Sequence, residues 1–326
     1  MKKLLLTTAL VAVAFSNNSF AEVKVSGEIE QTYTSYSYDA TGSKVDGSAA
    51  IGSEANVKFE GSKDIAGAKV NAAIRLENKG ATTAVDQKEL GVTIGNFKAH
   101  VGIDTGATID GNMVAHVGQQ VEDVMEFNGT MRAVSMSPFP AHDREHVGFS
   151  YKSPVGSFAV NYAPDSSASL GANKTTDVGG SAIEYVFTGD LGVKGLSVKV
   201  GQQDTNSANG SASDAKEKFY GATYTYGQVK VGYSDRSYDL DGSTVELDGS
   251  KSYSIAFAAT PTLSVAFERL DTKKKGTAIE EELNLLGVSY NLGGLGLEAY
   301  YGTAKDLGGS SGADAEAFQL RTVFAY

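Results

Sequence analysis

The chain contains no cysteine, so neither a disulfide framework nor a thiolate metal ligand or nucleophile is available to it. Only four histidines occur in 326 residues, which leaves few bases for hydrolytic chemistry. Five prolines stand against 38 glycines, 16 tyrosines and 14 phenylalanines, the balance of a chain built from strands and turns with little helix. After residue 21 no apolar run approaches the roughly 20 residues a membrane helix needs, and neither helical heptads nor solenoid repeats appear. The chain beyond that residue is therefore soluble, surface-attached or a barrel, and hydropathy alone does not choose.

The first residues point to export. Lys2 and Lys3 precede an apolar run from Leu4 to Phe15, followed by Ser19-Phe20-Ala21: a basic start, an apolar stretch too short to span, and a small-x-small exit. Cleavage is expected after Ala21, giving a signal peptide at 1–21 and one domain at 22–326. Taking Lys2 and Lys3 from the 28 basic residues leaves 26 against 39 acids, a net of −13. Nucleic acid is not a partner for such a chain.

Read with a period of two, Val23, Val25, Ile29 and Tyr33 share one face while Lys24, Ser26, Glu28 and Glu30 share the other. The same spacing sets Ile51, Ala55, Val57 and Phe59 against Glu54, Asn56, Lys58 and Glu60, and Val70, Ala72, Ile74 and Leu76 against Lys69, Asn71, Arg75 and Glu77. It returns in Phe158, Val160 and Tyr162, in Val229, Val231 and Tyr233, and in Tyr253, Ile255 and Phe257. A hydrophobic content of 41% is modest for a single soluble β core of this size. It suits a barrel whose outer face alone is apolar and whose bore is wet.

Connections alternate in character. Short links at 61–67, 95–96, 153–156, 189–195, 226–228, 260–262 and 291–294 interleave with long polar ones at 39–48, 78–86, 104–145, 164–180, 204–216, 239–249, 271–281 and 305–314. The segments number about 16, an even count with both termini at the short-turn rim, as an outer-membrane barrel has. A soluble β-sandwich also alternates, but it does not need strict short-long order.

Phe318, Leu320, Thr322, Phe324 and Tyr326 occupy alternate positions up to the final aromatic residue. That pattern resembles the C-terminal signal by which the barrel-assembly machinery recognises outer-membrane proteins. The opening Glu22-Val23-Lys24-Val25-Ser26-Gly27 and the strand-turn Leu286-Gly287-Val288-Ser289-Tyr290-Asn291-Leu292-Gly293-Gly294 resemble the general diffusion porins, particularly their alphaproteobacterial branch. The resemblance implies an all-β, 16-stranded antiparallel transmembrane barrel in the outer membrane of a Gram-negative bacterium. It also implies a homotrimer and a third surface loop folded inward as a constriction. Outer-membrane lipid, lipopolysaccharide and the assembly machinery are then the expected partners, and ions and small hydrophilic solutes the cargo, with no cofactor and no enzymatic role.

The candidate third loop, 104–145, is by far the longest connection, and loops of that length are uncommon unless they act. It carries Asp104, Asp110, Glu122, Asp123 and Glu126. In the family such carboxylates face a basic cluster on the wall, and Lys24, Lys58, Arg75 and Lys98 lie in the polar phase of the early strands. Arg75 and Lys58 are the foremost of these. Arg132 and Arg144, inside the loop, are available to pair with its own acids. A narrow aqueous gap with low-dielectric walls focuses field lines, so fixed charges filter solutes without tight binding. The net negative charge favours cations, although salt screens the acids of outer loops.

Weaker motifs compete with bland readings. His142-Asp143-Arg144-Glu145-His146 matches the inverted zinc-peptidase pattern, which works only on a helix, whereas a strand pattern begins at His146. Asp239-Leu240-Asp241-Gly242 with Glu246 and Asp248 offers hard oxygen ligands but departs from calcium-loop spacing; a solvated acidic loop accounts for it. Thr272-Lys273-Lys274-Lys275 is a basic wet surface within reach of anionic headgroups. The competing function is an outer-membrane or exported adhesin, which would display its long loop outside rather than inside.

Overall fold

The computed structural model describes residues 23–40, 43–79, 82–109, 113–120, 124–125, 145–164, 181–206, 214–240, 247–274, 279–306 and 311–326. Its strands are β1 (Lys24–Ala40), β2 (Ser43–Ile65), β3 (Ala68–Lys79), β4 (Thr82–Ile94), β5 (Phe97–Ile103), β6 (His146–Ser153), β7 (Gly156–Ala163) and β8 (Ala182–Gly189), followed by β9 (Leu196–Thr205), β10 (Ala215–Tyr226), β11 (Val229–Leu240), β12 (Leu247–Ala258), β13 (Leu263–Lys274), β14 (Glu280–Asn291), β15 (Leu295–Lys305) and β16 (Asp314–Ala325). Each pairs antiparallel with its sequence neighbours, and β1 pairs with β16, so the sheet closes on itself. The 16-stranded antiparallel barrel read from the sequence is the fold.

Closure removes the edge strands that an open sheet would expose. The seam runs from Glu28 opposite Ala325 to Asp39 opposite Asp314. At its end the Gly27 N–H donates to Tyr326 O at 3.1 Å and the Tyr326 N–H to Gly27 O at 3.0 Å. The short links are tight because their residues accept a left-handed backbone. Ala66 and Gly67 have φ of 50° and 84°, while Gly95 and Gly227, with φ of 58° and 59°, each take the first turn position. Those are the primed turns whose twist matches that of flanking strands.

Two expected long loops are mostly ladder. The β1–β2 pairing continues to Ala40 opposite Ser43 after a shift between Tyr36 and Tyr38, and the β3–β4 pairing to Lys79 opposite Thr82. Ladder bonds satisfy backbone groups whatever the side chains are. A hairpin beyond the apolar belt therefore needs no apolar alternation, and its polar sequence reads as a loop.

The two faces invert the usual order of a soluble protein. Ile51 is 81% and Tyr226 79% exposed, and Val25, Ile29, Tyr33, Phe318, Leu320 and Phe324 are exposed with them, whereas Glu184, Ser252, Arg236 and Glu268 are buried. Strand alternation sends each set to its own side. Aromatic rings meet on the outer side, Phe97 with Tyr151 at 4.8 Å and Tyr233 with Tyr253 at 5.4 Å between centroids. The inner phase also holds apolar side chains: Leu270, Leu283, Leu285 and Tyr300 pack with Val124 and Met125, and Phe219, Val186 and Ala159 pack with Ile109.

Candidate functional site

β5 ends at Ile103, and the backbone turns sharply at Asp104, whose φ is 50°. The residues that follow are held by side chains from the inner phase of the wall. Arg75 on β3 pairs with Asp86 and places its Nη2 3.1 Å from Asp104 Oδ2. The amide of Gln87 donates to Asp104 O at 2.9 Å, and His146 Nε2 lies 3.1 Å from Thr105 O.

Farther along, Glu184 on β8 accepts the Ile109 N–H at 2.7 Å and the Thr108 hydroxyl at 2.8 Å through one oxygen. Its other oxygen accepts the Asn161 amide at 2.8 Å, and the same amide donates to Ala107 O at 2.7 Å. Arg236 on β11 donates to Ile109 O at 2.9 Å. It also pairs with the Glu217 carboxylate and stacks its guanidinium 4.8 Å from the Phe219 ring centroid. Both partners of this ion pair are out of water, where removing one would strand the other's charge at a cost of about 3–5 kcal/mol.

The anchoring continues around the barrel. Met113 N–H donates to Ser234 Oγ at 2.8 Å and Ala115 N–H to Ser254 Oγ at 2.6 Å. The Tyr300 hydroxyl accepts the Gln119 N–H at 2.9 Å and donates to Glu298 at 2.6 Å. From β5 the chain thus meets β8, β11, β12 and β15 in turn. At Gly232 the wall has no side chain to spare: a Cβ there would come 2.7 Å from Met113 O and 2.9 Å from Ala115 N.

The four nominated wall cations divide into two groups. Lys24, Lys58 and Lys98, together with Lys69, line a cavity of about 490 Å³ that also includes Glu60 and Glu89. Lys58 pairs with Glu60 at 2.7 Å and Lys98 with Glu89 at 2.6 Å. Arg75, although opposite Lys58 in the β2–β3 ladder, turns instead to Asp86 and Asp104. The nominated Asp110, Glu122, Asp123, Glu126 and Arg132 lie outside the described residues, as do His142, Asp143, Arg144 and residues 241–246. Among the described residues no three His, Cys, Asp or Glu side chains are grouped to hold a metal ion.

Sequence reasoning missed Glu184, Arg236, Ser234, Ser254, Tyr300 and Lys69. Period two puts each on the inner face, and a charge as isolated as Glu184 between Ile183 and Tyr185 is a usable signal. No local pattern tells that the partner of Glu184 is the backbone of residue 109.

The whole chain can be set beside known proteins. A family model described as Gram-negative porin matches residues 7–325, whereas no curated protein sequence matches. Among solved structures, the anion-selective porin from Comamonas acidovorans is 16% identical with a TM-score of 0.70, over 94% of this chain and all of that one. A multiply substituted Rhodopseudomonas blastica porin is 14% identical with a TM-score of 0.62, over 93% of this chain and all of its own. At these identities the structures speak for the fold, and the family model, covering nearly the entire length, speaks for descent: the chain belongs to the Gram-negative porin family.

Proposed function

We propose that this outer-membrane channel passes ions and small hydrophilic solutes by diffusion, and that segment 104–145 folds into the bore as its constriction. The observation that carries the reading is the succession of hydrogen bonds joining Ile109, Met113, Ala115 and Gln119 to Glu184, Arg236, Ser234, Ser254 and Tyr300. A loop displayed for adhesion has no use for such ties to inner-phase side chains. In this reading Lys24, Lys58, Arg75 and Lys98 form the cationic side of a transverse field, and Asp110, Glu122, Asp123 and Glu126 the anionic side. Arg132 pairs within the loop. Charge focused in a low-dielectric gap orients solutes without holding them, so transport requires neither cofactor nor catalysis. With 39 acids against the 26 bases left once Lys2 and Lys3 are removed with the signal, the pore as a whole prefers cations.

The same proposal has the chain exported by a signal peptide cleaved after Ala21, inserted by the barrel-assembly machinery, and assembled as a homotrimer among outer-membrane lipid and lipopolysaccharide. The test is planar-bilayer recording of purified protein. Stepwise conductance is expected, with cation preference strengthened by Arg75→Glu and weakened by Glu126→Lys. A silent bilayer overturns the channel reading in favour of the adhesin, and selectivity indifferent to both reversals overturns the constriction.

A further inference from the structure

The lysine-lined cavity has a chemistry of its own. Its four ammonium-bearing side chains come from four different strands, β1, β2, β3 and β5, and two carboxylates share the space. Glu60 and Glu89 are committed to Lys58 and Lys98, and the Asn71 amide donates to Glu89 and fixes it from the other side. That leaves Lys24 and Lys69, exposed and without an ion pair among the described residues, so the cavity carries a surplus of two positive charges. Lys24 is the first residue of β1, Lys69 the second of β3 and Lys98 the second of β5, which puts the cluster toward the short-turn rim. Arg75, opposite Lys58 in the ladder, pairs with Asp86 and Asp104 and does not line this cavity.

We propose that this cavity is a weak binding subsite for small multivalent anions, inorganic phosphate or a short dicarboxylate, on the short-turn side of the constriction whose cationic wall it shares. A chloride ion neutralises one free ammonium, whereas a dianion with oxygens on two sides answers both at once, and a strongly hydrated lysine head suits such point-charge contacts. Ladder pairing fixes the four lysine backbones, so the ordering that opposes capture is confined to the side chains. The pairs with Glu60 and Glu89 keep affinity low enough for release, as conduction demands. The inference rests on the channel reading, since the ligand reaches the cavity through the bore.

The experiment records single channels of the full chain in about 0.1 M KCl, where screening extends only about 10 Å. Phosphate, succinate or further chloride is titrated on one side of the bilayer and then the other. Phosphate and succinate are expected to reduce conductance saturably in the millimolar range, more strongly from one side, while chloride does not. Block by one alone assigns the subsite to that class. Lys24→Gln with Lys69→Gln is expected to raise the half-blocking concentration about tenfold. Lys194→Gln, in the β8–β9 turn outside the cavity, leaves it unchanged. Conducting pores that neither dianion blocks, or a block unaltered in the double variant, overturn the subsite. Pores that never conduct overturn the channel reading instead.

Discussion

The carboxylate of Glu184 on β8 accepts the backbone N–H of Ile109 at 2.7 Å, across 75 residues of sequence. A wall side chain thereby fixes the path of the chain that leaves β5. Glu184 is fully buried, and its oxygens are shared among Ile109, Thr108 and Asn161. Through Ile109 O the same stretch is tied to Arg236.

Glu184→Ala would leave the Ile109 amide and the Thr108 hydroxyl without acceptors, and an unsatisfied buried group costs about 1–3 kcal/mol. The expected outcome is a noisier pore with sublevels in single-channel records and faster protease cleavage after β5. Glu184→Gln, which keeps an accepting oxygen, falls between. Quiet, wild-type records from the alanine variant would count against the anchor.

Arg236→Met strands the Glu217 charge in a buried site, and the expected loss of stability is about 3–5 kcal/mol. Adding Glu217→Gln removes the orphaned charge, so the double variant loses less than the two single variants combined. Urea unfolding in detergent, followed by the gel-mobility difference between folded and unfolded barrel, measures both. Simple additivity would mean that the two side chains do not act as a pair.

Phe149 and Ser150 are neighbours on β6 that face opposite sides, Phe149 59% exposed on the outer one. Phe149→Arg puts a charge into lipid at an expected cost of about 2–4 kcal/mol. Ser150→Arg places it beside Lys98, its cross-strand partner, where the like charges cost about 1 kcal/mol or less, and alters ion selectivity. Reconstitution yield and reversal potential separate the cases, and equal loss from both would refute the face assignment.

Gly232→Val would push a side chain into Met113 O and Ala115 N, displacing the segment that Ser234 and Ser254 hold. Conductance is expected to change while the barrel still forms, with Gly232→Ala showing a smaller effect. Unaltered conductance in the valine variant would show that the inner segment does not pass Gly232 in the working pore.

Much of the fold was legible because a barrel strand advertises itself locally. Val25, Ile29 and Tyr33 alternate with charged residues, and the strand-turn signals repeat often enough to count sixteen. The hairpin ends at 39–48 and 78–86 were read as loops because, beyond the apolar belt, a ladder constrains backbone but not side-chain polarity. The site was legible only in part. Lys24, Lys58, Arg75 and Lys98 share a strand phase, yet phase does not show that Arg75 turns to Asp104 while the lysines line a cavity with Lys69.

The sequence by itself determined which residues face outward and which inward, because a period of two is a property of each strand and survives without its neighbours. Only the tertiary structure decided what the inner residues meet. Barrel closure brings β8, β11, β12 and β15 to the segment after β5, and contacts such as Glu184 with Ile109 depend on strand register and curvature accumulated around the whole sheet. No window of neighbouring residues contains that information.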